Sequence, residues 1–387
     1  MKKWMWLLLV VLAAVLVMGI NGFFRQPEWQ VLVDVSRVEQ RQAVKKDEKT
    51  QERAEVGKFP LSASKLQVSP EKLLAHIQKL NFKRYTDSER SRTRNYITTE
   101  LKKLGWKPTL EKFDEGVNIF SDRQGTDKQA GAILIAAHYD TVAVSPGADD
   151  NASGVAVVLE VARLLGSRST PRTLQLAFFD QEEAGLLGSK AFAQKTAHLE
   201  NLRGVIVMDM VGYACYTVGC QNYPAGLPVT PPSDKGDFLA VVGDTEHLPL
   251  LNAFQNTRQG DRGDDLGDKD DGCGRRVWGN KGRRVWGDKE KLYLPAVLAL
   301  PIPLKGLLTP DTLRSDHAPF WYQGVGAVLV TDTANLRTPH YHQSSDVPTN
   351  IDKNFFNGAA QVVINATNAL LDSRLNLNTQ PSTATSS

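Results

Sequence analysis

Three short clusters of imidazole and carboxylate groups constrain this chain more than any other feature. They are His138-Tyr139-Asp140, Gly147-Ala148-Asp149-Asp150-Asn151-Ala152-Ser153-Gly154 and Gln181-Glu182-Glu183, each just past an apolar run or in the loop beyond it. Such spacing requires several strands of one sheet to deliver polar groups to a common edge. The runs Ala132–Ala137, Thr173–Phe179 and Gly204–Met208 are apolar, β-compatible and of buried-strand length, and they lead into His138, Glu182/Glu183 and Asp209 respectively. Gly326–Thr331 precedes His340 and His342, and Phe238–Val242 reads as one more strand.

Between the first two strands, the apolar residues of Ser153–Leu165 recur at helical spacing, with Asn151 or Ser153 available as N-cap. Strand, helix, strand is a crossover unit, which predicts an α/β fold with a largely parallel sheet. Further amphipathic helices are expected at Ser69–Leu80, where Ser-Pro-Glu makes a good start, and at about Ser91–Leu104, which Gly105 ends.

Outside this region the chain divides by composition. Lys2 and Lys3 precede an unbroken apolar run from Trp4 to Ile20, so residues 1–24 read as a transmembrane anchor with the lysines on the cytoplasmic side. A cleaved signal peptide is the alternative, and either one exports the rest of the chain. The expected location is therefore the cell membrane, single-pass, with the main domain on the extracytoplasmic side, or else secretion. Residues 25–62 are too poor in large apolar groups to pack and read as a polar tether. Residues 63–372 form the main domain and 373–387 a disordered tail. Within the domain, 258–289 carries two near-identical octads starting at Gly274 and Gly282, each Gly-Arg-Arg-Val-Trp-Gly. Two copies are too few for a solenoid, and this stretch is expected to be a disordered surface insertion. The formal net charge of +3, spread over mixed-sign stretches, is too small to argue for a nucleic-acid partner, and none is expected. Cys215 and Cys220 would permit a small disulfide in an exported domain, and Cys-x4-Cys without a second pair is no zinc-thiolate site.

The strand ends and their loops offer His138, Asp150, Glu183, Asp209 and His342. Two imidazoles and three carboxylates exceed the needs of one tetrahedral catalytic zinc but suit two ions that share one carboxylate, the arrangement of a binuclear hydrolase. These motifs carry a resemblance: the chain is similar to the co-catalytic di-zinc aminopeptidases, the family of bacterial leucyl aminopeptidase and aminopeptidase S. His138/Asp140, Gly147–Gly154, Glu182–Ser189, Asp209-Met210, Ser315-Asp316-His317 and His342/Asp346 follow the family pattern in order, from about Pro70 to about Leu371, although Gln343 stands where Thr is commoner.

The resemblance implies a single mixed, mostly parallel sheet flanked by helices on both faces, with no second inserted domain. It implies a peptide substrate and two zinc ions bridged by Asp150, one held by His138 and Asp209, the other by Glu183 and His342. Glu182 would be the general base. Asp140 would hold His138 from behind, and a cis peptide is expected at Asp150-Asn151. His317 is expected at the pocket wall or against substrate, and Asp149 as a helix cap. Two other readings stand beside this one: a glutaminyl-peptide cyclotransferase-like enzyme with one zinc on the same fold, and a non-catalytic ectodomain.

Overall fold

Period-two alternation decides which side of the sheet each apolar residue covers. In Ala132–His138, Ile133, Ile135 and Ala137 join one core cluster, and Ala132, Leu134 and Ala136 the other. A strand buried on both faces must be central, and this one is.

The computed structural model describes residues 66–224, 233–256, 283–284 (backbone only) and 292–377. The predicted membrane span, the tether, nearly all of the 258–289 insertion and the end of the tail lie outside the described residues. No helix among the described residues is long and apolar enough to cross a membrane.

The strands are β1 (Thr109–Phe113), β2 (Gly116–Arg123), β3 (Ala132–His138), β4 (Thr173–Phe179), β5 (Leu202–Met208), β6 (Phe238–Asp244), β7 (Arg283–Arg284), β8 (Tyr293–Leu294), β9 (Ala296–Ile302) and β10 (Ala327–Thr331). The helices are α1 (Pro70–Leu80), α2 (Asp87–Lys103), α3 (Ala152–Leu165), α4 (Leu187–Ala193), α5 (Thr196–Leu199), α6 (Leu248–Asn256), α7 (Ala318–Tyr322) and α8 (Lys353–Asp372). Eight strands form one sheet in the order β1-β2-β4-β3-β5-β10-β6-β9, and β7 pairs only with β8. The β3/β4, β3/β5, β5/β10 and β6/β9 pairings are parallel, and β1/β2, β2/β4 and β6/β10 antiparallel. The mixed sheet is thus parallel at its centre, as expected.

Local signals set the helix starts. Ser69 Oγ accepts from the Lys72 amide with Pro70 in the first turn, and Asn151 Oδ1 accepts from the Gly154 amide to start α3. Helix α2 begins at Asp87, several residues before the sequence estimate, because Thr86 and Glu89 form a reciprocal capping box. Helices α1, α2, α3, α6 and α8 supply one face of the sheet, with Leu73, Ile97, Val155, Phe254 and Phe355 in one cluster. On the other face, among the described residues, the short α4, α5 and α7 contribute, through Phe192, Leu199, Phe320 and Trp321. There Phe238, Ala240 and Val242 of β6, Leu298 and Leu300 of β9 and Leu329 of β10 line a cavity.

Candidate metal centre

Strand β3 is where the chain changes direction across the sheet. The crossover through α3 places β4 on one side of β3, and the chain then returns to place β5 on the other. The loops beyond the carboxyl ends of such strands part and leave a crevice. His138 ends β3, Glu182 and Glu183 lie just past β4, Asp209 follows β5, and His342 lies in the long loop after β10. Asp150 comes from the β3–α3 loop.

These groups converge. His138 Nε2 is 3.3 Å from Asp150 Oδ1 and 3.5 Å from Asp209 Oδ1. His342 Nε2 is 3.3 Å from Asp150 Oδ2 and 2.9 Å from Glu183 Oε2. The two oxygens of one buried carboxylate therefore face two different imidazoles. Ligand atoms of His138, Glu182 and Asp209 lie within 4.8 Å of one another, as do those of Asp150, Glu183 and His342.

The backbone holds these side chains by a second layer of bonds. Asp140 Oδ1 lies 3.4 Å from His138 Nδ1, and its two oxygens accept from the amides of Glu182 and Glu183 at 3.1 and 3.2 Å. Asp346 accepts from the amides of Asp149 and Asp150 at 2.8 and 3.0 Å. The Asp150-Asn151 peptide is cis. Gln181, Met210 and His342, each at or beside a cluster residue, adopt φ of 59°, 53° and 58°. Left-handed non-glycine residues cost on the order of 1 kcal/mol each and persist where the surroundings over-determine them.

One contributor gave no sequence signal. The fully buried Arg84 guanidinium donates to the carbonyls of Tyr139 (2.7 Å), Leu80 (2.5 Å), Pro146 (2.7 Å) and Gly147 (2.8 Å), clamping the β3–α3 loop that carries Asp150. Burial pulls its pKa down to about 10, still well within the charged range at neutral pH. All of its partners there are backbone oxygens, which leave no trace in side-chain patterns. Gly147, at φ 62°, has no room for a Cβ against the Asp150 carbonyl and the Arg84 guanidinium.

Two expectations change. Asp149 does not cap α3, because Asn151 does; instead Asp149 Oδ1 accepts from the Gly212 amide at 2.8 Å and ties down the loop after β5. His317 does not reach the cavity wall. Its ring is fully buried, bonded through Nε2 to the Thr312 carbonyl at 2.8 Å and edge-on to Trp321, and burial holds its pKa down at about 4. Cys215 and Cys220 form a disulfide.

The cluster is strongly acidic and mostly dry. Burial pushes Glu182 well above the usual carboxylate range, Glu183 up to about 7 and the neighbouring Asp316 up to about 7. Glu183 Oε1 is buried without a hydrogen-bond partner, and so are both Asp316 oxygens. The Ser189 hydroxyl, within reach of Asp316, is directed to the Leu186 carbonyl. Converging imidazole and carboxylate donors with unmet lone pairs fit a divalent cation, and the mixed N/O set suits zinc.

A cavity of about 200 Å³ opens on this centre. Its floor is this face of the sheet, with Phe238, Ala240 and Val242 from β6 and Leu298 and Leu300 from β9; Tyr341 and Arg314 stand among its polar wall residues.

Comparison with known proteins agrees with this geometry. The sequence signature of peptidase family M28 matches residues 118–230. The uncharacterised protein YfbL of Escherichia coli is 30% identical over 268 residues, 66% of this chain and 71% of its own. Aminopeptidase YwaD of Bacillus subtilis is 40% identical over 140 residues, 33% of this chain, so the match spans about a third (31%) of that relative's length. The structure of BSAP, a zinc aminopeptidase from Bacillus subtilis, superposes with a TM-score of 0.56 at 14% identity, covering 79% of this chain and 95% of that one.

Proposed function

The chain belongs to peptidase family M28, and on that premise we propose that it is a zinc-dependent aminopeptidase removing N-terminal residues from peptides at a centre for two ions. The observation that carries the reading is the division of Asp150 between two imidazoles, Oδ1 toward His138 and Oδ2 toward His342, each at 3.3 Å. His138 and Asp209 would hold one ion, Glu183 and His342 the other, and Asp150 would belong to both. When bound, zinc polarises a carbonyl oxygen and makes water acidic enough to act as a nucleophile at neutral pH.

The remaining roles fall to the chain itself. Glu182, buried at the cavity wall, takes the proton of the attacking water and gives it to the departing amine nitrogen; the dry surroundings raise its basicity for that task. Asp140 and Asp346 keep the ligand-bearing turns in register. The acidic end of the cavity, with Glu182 and Asp209, attracts a free α-ammonium group, and the apolar floor accepts a leucine- or phenylalanine-sized side chain.

Cleavage of peptides with a free N-terminus, abolished by a chelator and restored by zinc, tests the reading. Equal cleavage of N-acetylated peptides would make the enzyme an endopeptidase or amidase. Cyclisation of N-terminal Gln without hydrolysis, with one zinc per chain, would give the cyclotransferase reading instead. The apolar run Trp4–Ile20 supports placing this domain outside the cytoplasmic membrane, tethered to it.

A further inference from the structure

The cavity has two electrical ends. Glu182, Glu183, Asp209 and Asp150 crowd one, and Arg314 is the one Arg or Lys lining it among the described residues. Arg314 follows the short turn Pro310–Leu313 and precedes the buried Ser315-Asp316-His317. Its backbone is thus fixed while its side chain reaches the exposed rim. Nη1 donates to Asn335 Oδ1 and Nη2 to the Tyr341 hydroxyl, both at 3.2 Å. Both partners are neutral, and among the described residues the guanidinium forms no ion pair, although Asp311, three residues earlier, also lines the cavity. An oriented but electrically unmatched guanidinium in a substrate cavity is a receptor for a planar anion.

Its distance from the centre defines which anion. The Tyr341 ring stacks on the His342 ring at 3.7 Å, and the Arg314 guanidinium lies 6.0 Å from the Tyr341 ring centre. The guanidinium is therefore within about 10 Å of the His342 imidazole, whereas an extended peptide advances ~3.3–3.6 Å per residue. One or two residues fit between a carbonyl at the centre and a carboxylate at Arg314.

We propose that Arg314 binds a substrate carboxylate one or two residues past the scissile bond, so that the enzyme favours short peptides or an acidic residue there. The proposal rests on the aminopeptidase reading. A zwitterionic di- or tripeptide would lie with its ammonium group at the acidic end and its carboxylate at Arg314. The shared chemistry is a carboxylate, and its source is either the α-carboxyl terminus or an Asp or Glu side chain.

The test uses the zinc-loaded full chain with three substrates: Leu-Gly-Gly as the free acid, Leu-Gly-Gly amide, and Leu-Glu-Gly amide. A charge-assisted bond of this kind is worth about 10–100-fold. The wild type should prefer a carboxylate-bearing peptide over Leu-Gly-Gly amide by that factor in kcat/KM, mainly through KM. Preference for the free acid identifies the terminus, and preference for Leu-Glu-Gly amide the side chain. In Arg314→Met the ratio should fall to within about threefold, and in Arg314→Lys part of it should persist; a ratio within one protein is insensitive to how much of the variant folds. Equal cleavage of all three by the wild type, or a ratio surviving in Arg314→Met, overturns the proposal while leaving the aminopeptidase reading intact. Failure to cleave any of them overturns both.

Discussion

Replacing Arg84 with methionine should damage the centre without touching any group in it. The guanidinium donates to the buried carbonyls of Tyr139, Leu80 and Gly147 at 2.5–2.8 Å, besides Pro146. The Leu80 and Gly147 carbonyls keep the Phe82 and Ala152 amides as donors, so the loss falls mainly on the Tyr139 carbonyl, and a buried acceptor left without a donor costs about 1–3 kcal/mol. The weakened bonds to the other carbonyls add to this and relief of the desolvation penalty on a fully buried cation offsets part of it, leaving on the order of 2 kcal/mol net. That is a measurable part of the 5–15 kcal/mol typical of a whole domain. Urea unfolding of the metal-free protein gives the stability loss, and metal titration of the folded fraction shows whether the Asp150 loop still binds. Arg84→Lys keeps the charge but not the planar fork, and should lose less. A methionine variant within about 1 kcal/mol of wild type and with unaltered zinc affinity would refute the clamp.

Glu182→Gln is nearly isosteric and cannot take a proton; it should retain zinc and lose about 10²–10⁴-fold in kcat, and near-normal turnover of a metal-replete variant would remove Glu182 from the chemistry. Asp150→Ala should release both ions together, since two cations so close repel strongly without a shared carboxylate. One zinc remaining fully bound by elemental analysis would show that Asp150 is no bridge. In cells, the full chain should stay in membrane pellets after a high-salt wash, because apolar anchoring is not screened by salt; release with a new N-terminus near Ile20 would mean a cleaved signal.

The centre of the sheet was readable because β3, β4 and β5 are largely buried on both faces and read as short apolar-rich runs. Its edges were not. Strand β1 alternates exposed and half-buried residues, and β9 carries Pro301, which only an edge strand tolerates, so neither matches a buried-strand pattern. The residues that cluster at the centre were legible as linear motifs: His138, Glu182, Glu183 and Asp209 lie at or just past strand ends, and Asp150 and His342, in longer loops, stand within the Gly147–Gly154 and His342/Asp346 patterns. His317 belongs to the same kind of motif, yet its neighbour Trp321 and the Thr312 carbonyl draw the ring inward. Arg84 speaks only to backbone oxygens, and Arg314 gains its meaning from Tyr341, 27 residues later. Contacts of these two kinds have no one-dimensional signature.

The Asp346 carboxylate that receives the Asp149 and Asp150 amides lies 197 and 196 residues away from them along the chain. Chains are made from the amino end at roughly 5–20 residues per second, and His342 and Asp346 emerge long after Asp150. A growing or truncated chain can form the central strands and still hold Asp150 unsupported, with one imidazole missing. A chain that stops before residue 342 is therefore expected to lack hydrolytic capacity, because Asp150 then has neither its second imidazole nor the Asp346 carboxylate behind it.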